Sequence, residues 1–334
     1  MKQYRIGILG ATGAVGREMM MVLEERKFPI SDLRLLAGAG SAGKRISFMG
    51  KEHTVIQASK DAFEGLDIVL GAAENDIAMR FAPAIVKTGA VFVDNSSAFR
   101  LYEDVPLVVS EINPGDVRKH RGIIANPNCT TIISLVALNA LNKESPIESI
   151  IASSYQAVSG AGAQGISELS EETAAIAAGE AVKPSVFPYQ IAYNVIPQIG
   201  SEAFVGYTSE EMKLQNEGRK ILHSPELKVS CTCVRVPVFR SHSVSLLIRT
   251  KEKISAARAR ELIAAAAGCR LTDDIANRVY PMPLDTSDQD LVYVGRIRDD
   301  LTDERGLNLW CCGDQLRKGA ATNAVQIAEI VAGL

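Results

Sequence analysis

No uninterrupted apolar run approaches the roughly 18 residues that a membrane-crossing helix needs, so no span is expected. There is no excess of positive charge either. Lys and Arg number 36 against 39 Asp and Glu, a net charge of −3, which withholds the basic footprint of a nucleic-acid binder. Internal repeats, low-complexity tracts and linkers are missing as well. The six cysteines are few, and none has metal-ligand spacing: Cys231 and Cys233 alternate along an apolar stretch, and Cys311 and Cys312 are neighbours. This excludes a zinc module and a disulfide-stapled scaffold. It fits a reduced, cytoplasmic protein whose thiols, Cys129 apart, act as small buried hydrophobes. Histidine is scarce too, with only His53, His120, His223 and His242. The opening Tyr4-Arg5-Ile6-Gly7-Ile8-Leu9 reads as a first strand rather than a signal peptide.

What is present is an ordinary globular mix, 47% hydrophobic and 22% charged, in 334 residues, enough for about two domains. Up to about residue 128, short apolar runs alternate with amphipathic stretches. Strands are expected at Arg5–Leu9, Asp32–Ala37, Asp67–Ala72 and Ala90–Asp94, and helices at Ala14–Arg26 and Ile77–Lys87. That pattern implies βαβ units and a parallel sheet. From Ile147 to about Leu309 the strands lengthen and alternate, as in Ser149–Ala157, Lys228–Val238, Ser243–Arg249 and Val292–Arg298. Helices Gln164–Ala178 and Ala256–Ala267 fall among them, so the second part reads as α+β with a larger sheet. Lys183–Gly206, with three prolines, reads as a loop, and Lys318–Val331 as a final helix.

The first strand runs into Gly10-Ala11-Thr12-Gly13-Ala14-Val15-Gly16 and then a helix. Glycines in such a turn let the backbone approach a pyrophosphate, and the helix start offers unpaired N–H groups. Strand before and helix after are the context that gives the triplet meaning as a dinucleotide cradle. After the second strand, a carboxylate that would hold ribose hydroxyls is missing. The stretch reads Ala37-Gly38-Ala39-Gly40-Ser41-Ala42-Gly43-Lys44, leaving Ser41, Lys44 and backbone N–H groups as candidates for a 2′-phosphate.

Asn126-Pro127-Asn128 precedes Cys129-Thr130-Thr131 and an apolar helix over Ile132–Leu141. Turn and cap residues therefore place Cys129 at or near a helix N-terminus. There the dipole favours the thiolate, and backbone N–H groups can face an oxyanion. His242 lies between two apolar strands, where a scaffold can aim it, whereas His53, His120 and His223 have polar or turn-like surroundings. Gln156 closes a long strand before a glycine-rich turn. Thr208 and Glu211 have capping-box spacing, and Glu210 and Lys213, three apart, share a helix face. Arg100 follows a parallel strand's C-terminal end and suits an anion.

Taken together, Gly10–Gly16, Asp94–Arg100, Asn126–Thr131, Ser154–Gly162, Phe187–Pro197, Tyr207–Lys213, Cys233–Ser243, Gly295–Asp299, Gly306–Trp310 and Asp314–Ala321 resemble the aspartate-β-semialdehyde dehydrogenase family over nearly the whole chain. The resemblance implies an α/β fold: a Rossmann-type dinucleotide-binding domain over 1–128, completed by a C-terminal helix within 315–334. An α+β glyceraldehyde-phosphate-dehydrogenase-like catalytic and oligomerisation domain would span 129–314. It implies NADPH-dependent reduction of L-aspartyl-4-phosphate to L-aspartate 4-semialdehyde and phosphate, on the route to lysine, methionine and threonine. Cys129 would be the nucleophile forming a thioester, His242 the acid/base, and Gln156 the residue that orients the cysteine and touches substrate. Arg235 would bind the α-carboxylate and Glu210 the amino group, while Arg100, Asn128 and Lys213 would hold phosphate. Gly10, Thr12, Gly13, Ala14, Val15, Gly16, Gly40, Ser41, Ser159, Gly160 and Gln315 would contact the cofactor. No metal, nucleic acid or membrane is implied, and a homodimer or homotetramer is.

Three departures from the family pattern stand out. The arginine usual after the second strand is replaced within Gly38–Ser41, which opens the way to NAD beside NADP. Ala73-Glu74-Asn75 stands where a Gly-Gly-Ser-like turn is common. Ser241 takes the place of the usual glycine before His242. A related acyl-phosphate or acyl-CoA reductase is the nearest alternative, and a non-catalytic nucleotide-binding paralogue the next.

Overall fold

The computed structural model describes residues 2–334. They form two compact units, one running to Asn128 and taking in Ala320–Leu334, the other Cys129–Gly319.

The first unit is built on a six-stranded, wholly parallel sheet. Its order is Ile56–Gln57, Ile30–Ala37, Tyr4–Leu9, Ile68–Gly71, Val91–Asp94 and Ile123–Ala125. Ile68–Gly71 is buried at every position, which is why it reads as a continuous apolar run rather than an alternating one. Helices Ala14–Glu25 and Asn75–Lys87 each bury one stripe on this sheet. The helix Thr322–Ala332 completes the unit from the far end of the sequence. Its Ala324, Val325, Ile327 and Ala328 share a core with Ile6, Ile8 and Val93. Arg26 grips Glu329 with two bonds of 2.8 and 2.6 Å, and Tyr4 Oη donates to the Ala332 carbonyl at 2.6 Å.

Two details depart from the sequence reading. Arg317–Ala321 winds as a π-helical turn, so the regular final helix begins at Thr322 rather than Lys318. A hairpin to which the sequence reading assigns nothing joins Arg45–Phe48 and Lys51–Thr54. Its turn residues Met49 and Gly50 both have positive φ, as the strand twist demands. The strands are charged and short, so periodicity does not reveal them.

The second unit holds a mixed six-stranded sheet. Its order is Lys228–Arg235, Ile147–Gln156, His242–Thr250, Gly306–Gly313, Val292–Asp299 and Cys269–Leu271. The two outer pairs are parallel and the inner pairs antiparallel. Cys129–Glu144 is buried from Thr130 through Asn139 without a break, so it is a helix enclosed on all sides.

The irregular 183–201 segment is fixed by carboxylates one turn apart on the helix Gly162–Ala177. Glu168 accepts from the backbone N–H groups of Ser185, Val186 and Phe187 and from the Ser185 hydroxyl. Glu172 accepts from the N–H groups of Ile191 and Ala192, each at 2.8 Å. Burial alone would push the Glu168 carboxyl up. The bonds from the Ser185 hydroxyl and the three amides outweigh it and hold the group below its ordinary range. A proline-rich stretch without regular structure thus has its backbone donors satisfied.

Candidate active site

Sheet register assembles the second unit's polar groups. Arg235 ends its strand and Gln156 ends the neighbouring one, and the two are register partners. His242 opens the next strand, one residue before Ser243, which faces Tyr155, so it starts where Gln156 ends. Three candidate side chains therefore stand in one row at one end of the sheet. All three are buried, His242 completely.

One residue between them, Ala157, ties the row together. Its carbonyl accepts from Arg235 Nη1 at 2.6 Å, and its N–H donates to His242 Nδ1 at 3.1 Å. Both contacts are made by backbone, so no sequence signal could mark this residue. Gln156 Oε1 accepts from the Ser154 hydroxyl at 2.9 Å, and its Nε2 donates to Glu210 Oε1 at 3.2 Å. The other Glu210 oxygen meets Lys213 Nζ at 2.6 Å. This is not a solvated surface pair, because the Glu210 side chain is only 9% exposed.

The capping box reads as expected: Thr208 Oγ1 accepts from the Glu211 N–H, and the Glu211 carboxylate accepts from the Thr208 N–H. Its other oxygen accepts from the Cys233 N–H at 3.0 Å, which joins this helix to the strand bearing Arg235. The Arg235 guanidinium lies 5.8 Å from the Phe187 ring centroid.

Cys129 is the first residue of its helix and half-buried. Gly319 packs directly on it, and a Cβ there would stand 2.8 Å from Cys129 Cβ. The cysteine is close enough for its charge to act on Arg235. Burial lowers the Arg235 pKa, while the charges of Cys129, Glu210 and Cys233 pull the other way. Gly160 supplies the remaining wall. A Cβ on it would fall 2.7 Å from Arg235 Nη1, 3.4 Å from His242 Cε1 and 3.5 Å from His242 Nε2.

Ser241 shows what replaces the usual glycine before His242. Its φ is 72°, left-handed and costly for a residue with a side chain, on the order of 1 kcal/mol. Opposing that cost, its hydroxyl meets the Thr286 hydroxyl at 2.6 Å and its N–H donates to Gln315 Oε1 at 2.9 Å. Gln315 Nε2 in turn donates to the Ser159 hydroxyl. Thr286, which the sequence reading passes over, is thus part of the support behind His242.

The first unit holds the cradle. Gly10 has φ 91°, and a Cβ on it would come within 2.3 Å of the Ala72 carbonyl. A Cβ on Gly16 would come equally near the Gly10 carbonyl. Gly13 stands just before the helix Ala14–Glu25. The turn is therefore closed to side chains and presents backbone, with Ala14 and Val15 at the helix start. These features fit the pyrophosphate of a nicotinamide dinucleotide. Beside it, Ser41 Oγ is 3.4 Å from Thr12 Oγ1 and 3.5 Å from Lys44 Nζ, and Cβ atoms on Gly38 or Gly40 would meet nothing within 4 Å.

Arg100, also in this unit, is buried rather than solvated. It donates to the Asn126 carbonyl at 3.0 Å and the Asn95 carbonyl at 2.7 Å. Asn128 is buried. Glu74 is exposed and precedes the helix Asn75–Lys87. His53 and His120 are half-buried and His223 is exposed; the last two lie outside every strand and helix of regular type. Among the described residues no group of His, Cys, Asp and Glu could hold a metal ion, and all six cysteines are free thiols. Among those same residues no helix is long and apolar enough to cross a membrane.

Both units match family models. Residues 5–120 match "Semialdehyde dehydrogenase, NAD binding domain" and residues 138–318 match "Semialdehyde dehydrogenase, dimerisation domain". These matches define the class as a semialdehyde dehydrogenase, with a Rossmann-type domain and a mixed-sheet second domain.

Full-length relatives narrow it. Aspartate-semialdehyde dehydrogenase of Aquifex aeolicus is 49% identical, with 98% of each chain covered. That of Bacillus subtilis is 45% identical over 97% of this chain and 96% of its own. Among solved structures, aspartate semialdehyde dehydrogenase II from Vibrio cholerae is 42% identical and superposes with a TM-score of 0.97, covering 99% of both chains. The same enzyme complexed with ASA is 41% identical at TM-score 0.97, covering 100% of this chain and 99% of its own. The chain belongs to the aspartate-semialdehyde dehydrogenase family.

Proposed function

We propose that this chain reduces L-aspartyl-4-phosphate to L-aspartate 4-semialdehyde and phosphate through a thioester on Cys129, in the synthesis of lysine, methionine and threonine. The observation that carries the reading is the buried row of Gln156, Arg235 and His242 flanked by the Glu210–Lys213 pair. A zwitterionic amino acid needs one cation and one anion. Arg235 answers its carboxylate and Glu210 its ammonium group. Arg100, Asn128 and Lys213 take the phosphate. Gln156, held at both ends by Ser154 and Glu210, orients the thiol and the substrate. Cys129 attacks the acyl carbon from the start of its helix, where backbone N–H groups stabilise developing negative charge.

The cofactor is NADP, with NAD as a weaker substitute. Gly10–Gly16 hold its pyrophosphate, and Ser159, Gly160 and Gln315 contact it. Bound, it supplies the hydride. Ser41, Thr12 and Lys44 take the place of the family's arginine at the 2′-phosphate, beside Gly40. The protein is a homodimer or homotetramer, which fits the exposed Ile151 and Tyr155 on the open sheet face. Six free thiols suit a reducing, cytoplasmic setting.

The test is phosphate-dependent oxidation of L-aspartate 4-semialdehyde with NADP and NAD in parallel. Activity that requires phosphate supports the reading; folded protein inactive with both cofactors refutes it. Lys44→Ala is expected to lower kcat/KM for NADP about tenfold, the size of one charge-assisted contact, and to leave NAD unchanged. An unaltered NADP/NAD ratio would clear Lys44 of any part in selection.

A further inference from the structure

Three asparagines of the first unit are bonded end to end, and backbone groups fix the direction of each link. Asn95 Nδ2 donates to the Gly71 carbonyl at 2.7 Å, which leaves its Oδ1 to Asn126. Asn126 Nδ2 donates to that oxygen at 2.5 Å and to the Ala320 carbonyl at 3.2 Å. Asn126 Oδ1 accepts from Asn323 Nδ2 at 2.5 Å, and the same Nδ2 donates to the Val108 carbonyl at 2.9 Å. Asn323 Oδ1 accepts from the Ser110 N–H at 3.1 Å. A carbonyl only accepts and a backbone N–H only donates, so no amide of the three can turn over without setting like against like. Asn126 and Asn323 are fully buried, where an unmade bond costs most.

Two of these residues carry Arg100. Its Nε donates to the Asn126 carbonyl and its Nη2 to the Asn95 carbonyl, at 3.0 and 2.7 Å. The side-chain bond between Asn95 and Asn126 therefore ties together the two peptide groups on which the guanidinium rests. We propose that Asn95 and Asn126 are positioning residues for the phosphate of the substrate. Their amide bond fixes the two carbonyls at the spacing that aims Arg100, and they act through that arginine. The proposal rests on the reading above that Arg100 takes the phosphate.

The fold supplies the means. Asp94 and Ala125 are register partners at the ends of neighbouring parallel strands, and Asn95 and Asn126 are the residues that follow them. The Asn126 N–H donates to the Asp94 carbonyl at 2.7 Å, which extends the ladder by one step. Asn323 comes from the helix Thr322–Ala332, so the element that closes the unit also holds the far end of the amide chain. An arginine on a free stem must be ordered when an anion arrives, and that cost is taken from affinity. An arginine already resting on two fixed carbonyls meets the anion without it. Loosening the mount leaves Arg100 charged and in place in the sequence, but no longer aimed.

The test is the KM for inorganic phosphate in the oxidation of L-aspartate 4-semialdehyde by the full-length protein. Asn95 is only half-buried, so Asn95→Ala is the variant to make first. It is expected to raise that KM about tenfold, the size of one hydrogen bond to a charged group, with kcat and the KM for aldehyde and for NADP within about threefold. Asn126→Asp keeps the shape but sets oxygen against Asn95 Oδ1 and the Ala320 carbonyl, and is expected to raise it at least as far. Coupling separates positioning from structure. On an Arg100→Ala background, Asn95→Ala is expected to add less than about twofold, because the group it positions is gone. A full effect on that background, or a rise in all three KM values together, overturns the proposal. If Arg100→Ala raises the phosphate KM and Asn95→Ala does not, this proposal falls alone. If Arg100→Ala leaves it unaltered, the phosphate reading falls and takes the proposal with it. Calorimetric titration of phosphate into the NADP-loaded protein reads the same affinities without turnover, so the result stands even for protein inactive on the aldehyde.

Discussion

Cys129→Ala is expected to lower kcat by at least about 10⁴-fold, the scale on which covalent nucleophiles fail when deleted. Stability should change by less than about 1 kcal/mol, because one half-buried sulfur is lost and no charged group is orphaned. The helix behind it survives, since its hold on the core comes from the unbroken buried run Thr130–Asn139 and not from its first residue. Cofactor affinity should be unaltered, because Cys129 is not among the residues proposed to hold the cofactor. Rapid-mixing kinetics, a cofactor titration and a denaturant melt check all three. Turnover within tenfold of the parent would remove the thioester from the mechanism.

Gly160→Ala carries the second large effect. The added methyl would stand 2.7 Å from Arg235 Nη1 and about 3.4–3.5 Å from two atoms of the His242 ring. A long arginine can often step aside. This one is buried and donates to the Ala157 carbonyl at 2.6 Å, so moving it breaks that bond and shifts the cation that receives the substrate carboxylate. The expectation is a fall in kcat/KM of about 100-fold, the usual result of displacing a positioning group by about 1 Å, with most of it in KM. Gly115→Ala is the control, because a Cβ there meets nothing within 4 Å. If Gly160→Ala stays within threefold of the parent, Arg235 does not depend on the space that Gly160 leaves.

The two experiments probe different halves of one device. Buried charge is expensive unless it is partnered, and the site meets that condition with few groups. Arg235 spends one donor on a carbonyl and lies near the Phe187 ring, and Glu210 is held between Gln156 and Lys213. Burial pushes the His242 pKa down to about 3, away from the charged form. Even the loop that carries Phe187 is set by a buried carboxylate, Glu168, accepting its N–H at 3.1 Å.

Much of the fold is legible in the sequence because short-range periodicity reports directly on burial. The inner strand Ile68–Gly71 of the first unit is covered on both faces and reads as a solid apolar run. The turn from Gly10 to Gly16 admits no side chain at its two tightest points, so glycine marks it. Thr208 and Glu211 announce a helix start because a capping box is made within four residues. The hairpin Arg45–Thr54 escapes notice because its strands are only four residues each: Ile46 and Phe48 alternate, but two apolar residues are too few to mark a period. Arg100 is hard to read in another way. Nothing local distinguishes an arginine that solvent surrounds from one whose guanidinium is bonded to the Asn95 and Asn126 carbonyls.

By itself, then, the sequence determined the two fold classes, the glycine cradle, the cysteine at a helix start and the pool of candidate polar residues. Each of these is written in spacings of a few residues. The tertiary structure alone decided that Gln156, Arg235 and His242 share one end of the sheet, that Ala157 holds two of them by its backbone, and that His242 Nδ1 accepts from the Ala157 N–H. The partners in that last bond are 85 residues apart, and they meet because of strand register and not because of any local pattern. Register is a property of the sheet as a whole, set by which long-range pairing buries the apolar faces together, so the chemistry of a side chain at a strand's end becomes definite only when its neighbours across the sheet are known.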